Sequence, residues 1–270
     1  MPARDEKAEA LKQLHEGSET FVIPNPWDAG SARLLEALGF KALATTSSGF
    51  AYTLGRRDGR VTLEEKLAHC RVLAGATRLP ISADLENGFA HAPAAVAETI
   101  RQVAATGIVG GSIEDYDPEA GCIYDFEHAV ERVHAATEAA RALDFPFALT
   151  ARAENFLRGN PDLDDTIARL RAFEAAGAHV LYAPGLRTLD EVRAVVAAVR
   201  RPINVLAPLL YPASMADLAA AGARRVSVGG ALCYAAMAPI LAAGREMLAE
   251  GTFSWLAAIA PPAEIRDMLT

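Results

Sequence analysis

Short apolar runs alternate with longer amphipathic stretches along the chain, a strand–helix rhythm. After an amphipathic helix at 4–16 with Ala8, Leu11 and Leu14 on one stripe, Phe21-Val22-Ile23 reads as the first strand, closed by Pro24-Asn25-Pro26. Asp28 is placed to cap a helix over 29–38. A second strand is expected over 41–45, then a loop at Thr46-Ser47-Ser48-Gly49. Thr62 with Glu65 forms a capping box for a helix through Leu73. A third strand follows Leu79, Pro93 opens a helix to Ala105, and the fourth strand ends at Glu114. The second half repeats the pattern, with strands at 147–150 (running out to Arg152 and Glu154), 180–182, 203–206 and 225–228. Helices are predicted at 126–143, 163–176, 189–199 and 215–221, and from Ala231 onward.

Gly39-Phe40, Gly107-Ile108, Gly177-Ala178 and Gly222-Ala223 each end a helix and lead into an apolar strand. The first three glycines stand 68 and 70 residues apart, two units of about 34 each. Eight such units account for the whole chain. An α/β fold is predicted, a (β/α)₈ TIM-type barrel forming one domain over residues 1–270. No GxGxxG follows the first strand, which argues against a dinucleotide-binding open sheet.

The net charge of −8 weighs against nucleic acid or an anionic membrane as a partner. Cys70, Cys122 and Cys233 lie far apart with no CxxC pair, so neither a zinc site nor a disulfide framework is expected. The charged start Arg4-Asp5-Glu6-Lys7 is unlike a signal peptide, and no apolar run is expected to reach bilayer length. A soluble cytoplasmic protein is the expectation.

The chemistry concentrates at Pro80–Gly88, P-I-S-A-D-L-E-N-G. Strand alternation would put Asp84 and Glu86 on one face, where two carboxylates repel unless a cation lies between them. Gly110–Asp115, G-G-S-I-E-D, brings Glu114 and Asp115 to the end of the next strand. Acidic residues ending successive strands suit a hard divalent cation, Mg²⁺ or Mn²⁺ in its place. A barrel of this kind works at the C-terminal ends of its strands. There the reading also delivers Asn25, the 46–49 loop, Arg152, Glu154, Tyr182 and Asn204. Arg152 can clamp a substrate carboxylate, or form a salt bridge with Glu154 or another carboxylate of the site. Backbone N–H groups of Ser47-Ser48-Gly49 can cradle an anion. A cation chelated by a 2-oxo acid would stabilise an enolate, common to C–C cleavage and decarboxylation.

The strings N-P-W-D-A-G-S-A-R (25–33), T-T-S-S-G-F (45–50), L-G-R-R-D-G (54–59), S-A-D-L-E-N-G-F (82–89), G-S-I-E-D (111–115), A-R-A-E-N-F (151–156) and V-S-V-G-G-A-L (226–232) follow one another in order. With them the chain resembles the isocitrate lyase / phosphoenolpyruvate mutase superfamily over nearly its whole length. The resemblance implies a barrel whose last helix, within about 235–270, is swapped between subunits of a homodimer or homotetramer. It also implies a Mg²⁺ site acting on 2-oxo or 2-hydroxy carboxylates. By position, Asp84 would ligate the metal directly, and Asp58, Glu86 and Glu114 would hold metal-bound waters. Ser47, Ser48 and Arg152 would bind substrate.

Two departures from the family pattern narrow this. In the lyase branch a loop motif K-[KR]-C-G-H carries an acid/base cysteine; here the loop reads D-Y-D-P-E-A-G-C-I-Y-D. Cys122 falls at that position without the cationic neighbours a reactive thiolate needs, which favours an ordinary loop cysteine over a catalytic one. The mutase branch's loop Lys and strand-end His are also missing, the latter replaced by Tyr182-Ala183-Pro184. The expected activity is therefore a Mg²⁺-dependent lyase that cleaves or decarboxylates a small 2-oxo or 2-hydroxy dicarboxylate of the oxaloacetate, alkylmalate or methylisocitrate type. Phosphonopyruvate or phosphoenolpyruvate mutase or hydrolase activity, or a non-catalytic 2-oxo-acid-binding relative, are the alternatives.

Overall fold

The computed structural model describes residues 2–269. The described residues form ten strands: β1 (Phe21–Ile23), β2 (Leu43–Ala44), β3 (Ile81–Asp84), β4 (Gly110–Glu114), β5 (Tyr116–Asp117), β6 (Cys122–Ile123), β7 (Ala148–Arg152), β8 (Val180–Tyr182), β9 (Ile203–Leu206) and β10 (Arg225–Ser227). β5 and β6 form a separate antiparallel hairpin; the other eight are parallel, in the order β1-β10-β9-β8-β7-β4-β3-β2. Across the remaining seam the Ala44 N–H donates to Pro24 O (3.0 Å), so the barrel is all but closed.

The helices are α1 (Arg4–Glu16), α2 (Ala29–Ala37), α3 (Ser47–Thr53), α4 (Leu63–Ala76), α5 (Pro93–Ala104), α6 (Phe126–Arg141), α7 (Leu163–Ala175), α8 (Leu189–Ala198), α9 (Met215–Ala220), α10 (Ala231–Ala249) and α11 (Pro262–Met268). Strands covered on both faces must be apolar throughout, and Leu43, Ile81, Leu149, Leu181 and Val226 are accordingly buried. They share one apolar cluster with Leu73, Ile100, Val133, Phe173 and Val195 of the surrounding helices. α1 covers the N-terminal mouth. Its buried Leu11 comes so near β4 that a Cβ on Gly110 would lie 3.2 Å from Leu11 Cδ2 and 3.0 Å from Ala148 O. Glycine there lets the plug seat.

The predicted rhythm matches the observed order of elements, with three differences that matter. The expected loop at 46–49 is the start of α3, because the Thr46 side chain caps it by accepting from the Gly49 N–H (3.2 Å). The β5–β6 hairpin had no alternating pattern to announce it. Finally, α10 corrects the expectation about bilayer length. It runs 19 residues with a mean hydropathy of 1.2 over its most apolar window and is only 11% buried there. It also carries Pro239, Arg245 and Glu246. Tyr234, Ile240, Leu241 and Leu248 on this helix face outward.

Candidate active site

Each functional side chain is delivered by a strand end. β3 stops at Asp84, and the chain then turns through a left-handed Glu86 (φ 51°), Gly88 (φ 78°) and Phe89 (φ 54°). This turn, rather than strand alternation, keeps Glu86 beside Asp84: the Glu86 N–H donates to Asp84 Oδ1 (3.3 Å). A positive φ at a non-glycine residue is costly and is held only by its surroundings. Here the Glu114 N–H donates to Glu86 O (2.8 Å), tying the turn to the end of β4.

Arg152, the last residue of β7, is the hub. Its Nη1 lies 3.2 Å from Asp84 Oδ1, its Nη2 3.1 Å from Glu114 Oε2 and its Nε 2.8 Å from Glu154 Oε1. The Tyr182 ring lies under the guanidinium, 5.3 Å from centroid to Cζ. Arg158, a turn beyond Glu154, reaches Glu114 Oε2 (3.4 Å) and Glu154 Oε2 (3.3 Å) while lying over the Tyr116 ring of the hairpin at 3.6 Å. Sequence reading raised the Arg152–Glu154 pairing; the structure extends it to three carboxylates on one guanidinium.

Asp84 is also held from the other side. Its Oδ2 accepts from the Ser47 N–H (3.1 Å), and its own N–H donates to Thr45 Oγ1 (2.8 Å), which the Lys66 ammonium also reaches (3.0 Å). Burial would push the Asp84 pKa up, but the Arg152 and Lys66 charges and the two N–H donors outweigh it and leave it lowered. Its neighbours go the other way. Burial, then the Asp84 and Asp58 charges, push Glu86 up to about 7. Burial, the Glu154 charge and the Asp84 charge hold Glu114 well above the usual carboxylate range despite Arg152. Burial likewise lifts Asp115 to about 6, although it accepts from the Glu154 N–H and pairs with Arg169 (3.0 Å).

Above Arg152 opens a cavity of about 160 Å³ lined by Ser47, Ser48, Asp84, Arg152, Tyr182 and Asn204, among others. Ser48 Oγ shares a hydrogen with Thr46 Oγ1 (3.1 Å), while Ser47 Oγ has no partner among the described residues. Not every predicted residue joins this group. Glu86 and Glu114 reach it through Asp84 and Arg152. Asp58 is exposed on the loop after α3, bonded among the described residues only to the Gly59 N–H (3.1 Å), and acts on Glu86 through its charge. Cys122 is exposed on β6 and lies outside the cavity lining. Asn25 does line the cavity, and it also braces the barrel. Its Oδ1 accepts from the Val228 and Gly229 N–H groups (2.9 and 2.8 Å) and its Nδ2 donates to Thr45 O (3.0 Å).

Sequence reading missed Lys66 and Arg158. Lys66 was signalled: it falls on the buried stripe of α4 with Leu67, Cys70 and Leu73, and a lysine there needs a polar destination. Arg158 had only its i,i+4 spacing from Glu154.

An all-but-closed barrel whose C-terminal mouth gathers buried carboxylates around one arginine defines a (β/α)₈-barrel enzyme. The chain belongs to the phosphoenolpyruvate phosphomutase family, whose profile matches residues 11–248. An oxaloacetate decarboxylase of Rhodopseudomonas palustris (strain HaA2) is 30% identical over 281 residues, covering 100% of this chain and 91% of its own. Among solved structures, a candidate lyase/mutase of Burkholderia cenocepacia J2315 is 52% identical with a TM-score of 0.95, covering 98% of this chain and 95% of that one. An oxaloacetate acetylhydrolase in complex with its product oxalate is 25% identical with a TM-score of 0.87, covering 100% and 95%. The motif-based resemblance to the isocitrate lyase / phosphoenolpyruvate mutase superfamily is thus confirmed, and the chain is an enzyme of a lyase and mutase family.

Proposed function

We propose that the protein is a Mg²⁺-dependent lyase that decarboxylates, or cleaves the carbon–carbon bond of, a small 2-oxo dicarboxylate of the oxaloacetate type. The observation that carries this is the Arg152 hub at the floor of a small cavity, ringed by more carboxylate charge than the protein keeps ionised. Two of the ring's acids, Glu86 and Glu114, are pushed toward their protonated forms by burial and neighbouring charge. A hard cation relieves that repulsion, and the donors present are all oxygens, which suits Mg²⁺. Among the described residues no three acidic, imidazole or thiol side chains converge to ligate one ion directly. Mg²⁺ tolerates this, since it keeps several waters. Asp84 would be its direct ligand, with Glu86 and Glu114 holding waters. When bound, the ion supplies Lewis acidity that steadies negative charge developing on the 2-oxo oxygen.

The chain's own groups do the rest. Arg152, relieved of Asp84 and Glu114 when their charge is shared elsewhere, turns its Nη1 and Nη2 donors to a substrate carboxylate in bidentate fashion. The Ser47 and Ser48 hydroxyls, on the facing wall, donate to the second carboxylate. A cavity of about 160 Å³ suits a short dicarboxylate better than a tricarboxylate. Asp58 contributes through its charge on Glu86, and Cys122, outside the cavity, takes no part. The outward apolar face of α10 supports the homo-oligomer that the family resemblance implies, with this segment docked on a second copy.

Oxaloacetate turnover in Mg²⁺, lost on adding excess chelator and restored by Mg²⁺ or Mn²⁺, tests the reading. Chelator-resistant turnover, or none with any 2-oxo dicarboxylate, removes it. A second expectation concerns pH. Glu86 titrates near 7 in the fold and near 4.5 unfolded, so the stability linked to its proton is full below pH 4.5 and lost as pH rises through 7. The melting-temperature gain from Mg²⁺ should therefore be larger at pH 8 than at pH 6. Equal gains at both would place the ion away from Glu86.

A further inference from the structure

At the opposite end of the barrel, below the N-terminal ends of β7, β8, β9 and β10, lies a second cavity of about 670 Å³. Its rim carries four fixed cations: Lys12 from α1, Arg200 and Arg201 from the turn before β9, and Arg224 just before β10. Glu16 is the one carboxylate in the lining. In a chain of net charge −8, this concentration runs against the overall sign. Lys12 is weakly paired with Glu9 (3.6 Å), and Arg224 Nη1 donates to a carbonyl, Glu19 O (3.0 Å). The Arg200 and Arg201 guanidinium groups have no hydrogen bond or ion pair among the described residues.

The walls show the same excess of positive charge. Burial, then the charge of Arg225, hold His15 down to about 3, with His179 and Arg224 adding to the effect. Burial, then Arg201 and Arg141, lower His179. Both imidazoles are therefore neutral at pH 7, as expected where cations already crowd. Phe147, Val196 and Ile203 give the cavity apolar surface between the charged groups. Its size lies within the ~300–1,000 Å³ range of small-molecule sites. It is also cut off from the catalytic mouth. Buried Arg225 fills the barrel axis between them, bonded to Asn204 Oδ1 (2.8 Å) and Thr150 Oγ1 (3.0 Å), with its Nη1 3.4 Å from His15 Nε2.

We propose that this cavity binds a multiply charged oxyanion of metabolite size, held by Arg200, Arg201, Lys12 and Arg224 at a site separate from the catalytic centre. A planar guanidinium with all its N–H donors unengaged matches phosphate or carboxylate oxygens in pairs, and two adjacent ones favour a ligand bearing at least two charges. This proposal stands whether or not the catalytic reading does.

Titration calorimetry with pyrophosphate and with citrate, at fixed low ionic strength, tests it on the wild-type protein and on an Arg200→Ser/Arg201→Ser double variant. Both replaced side chains are exposed, so folding is preserved, checked by an unchanged melting temperature. Saturable one-to-one binding is expected for at least one probe, weakened at least about tenfold in the double variant. A preference for pyrophosphate assigns a phosphorylated ligand, and a preference for citrate a polycarboxylate. Absence of saturable binding by both probes, or an affinity unchanged in the double variant, overturns the proposal.

Discussion

Replacing Asp84 with alanine is expected to lower kcat/KM for oxaloacetate by at least about 10³-fold, on the order of 4 kcal/mol of transition-state stabilisation. Asp84 is the acid of the ring that the fold holds ionised, through Arg152, Lys66 and two backbone N–H groups. It is therefore the group best prepared to grip a cation. The variant loses the acceptor for the Ser47 N–H, a cost of about 1–3 kcal/mol, and should stay folded by circular dichroism. Retention of more than a tenth of the activity would mean that the cation is held elsewhere. Asp84→Asn separates charge from shape: if the negative charge matters, it too is inactive.

Arg152→Met has the other large effect, on stability as well as activity. It leaves buried Asp84 without its guanidinium partner, and Glu114 and Glu154 with Arg158 alone. Breaking a buried pair in this way costs about 3–5 kcal/mol, since the remaining charge is uncompensated. The sign with pH follows from linkage. Without Arg152, the folded-state pKa of Glu114 rises further above that of the unfolded chain and Asp84 loses the main charge that holds its own down, so the native state binds extra protons as pH falls. The variant should recover stability as pH falls from 8 to 5.5, more steeply than the wild type. Urea midpoints at the two pH values measure this. An equal deficit at both would make the loss one of packing rather than charge.

The barrel was legible because its information is periodic. Apolar runs at 21–23, 81–84 and 203–206, spaced by capped helices, carry their fold in local pattern. Asp84, Glu114 and Arg152 were legible for the same reason, since each ends a strand and parallel strands bring their ends together. What escaped depends on contacts between segments distant in the chain. Lys66 reaches Thr45 from the middle of a helix, and the Arg158–Tyr116 stack joins two loops. The left-handed turn at Glu86 also escaped, because Asp84-Leu85-Glu86 carries no glycine or proline to mark it. The 46–49 stretch misled for the opposite reason. Thr-Ser-Ser-Gly looks like a loop by composition, yet a threonine three residues before a glycine serves equally as a helix cap.

In the homo-oligomer proposed above, the oily flank of Ala231–Ala249 would make protein concentration a hidden variable in all of these measurements. A lone subunit shows that flank to water, whereas the proposed assembly would hide it, so dilution would shift the balance toward a less stable species. Folding and assembly then form a single equilibrium, and melting points compare fairly only at matched dilution.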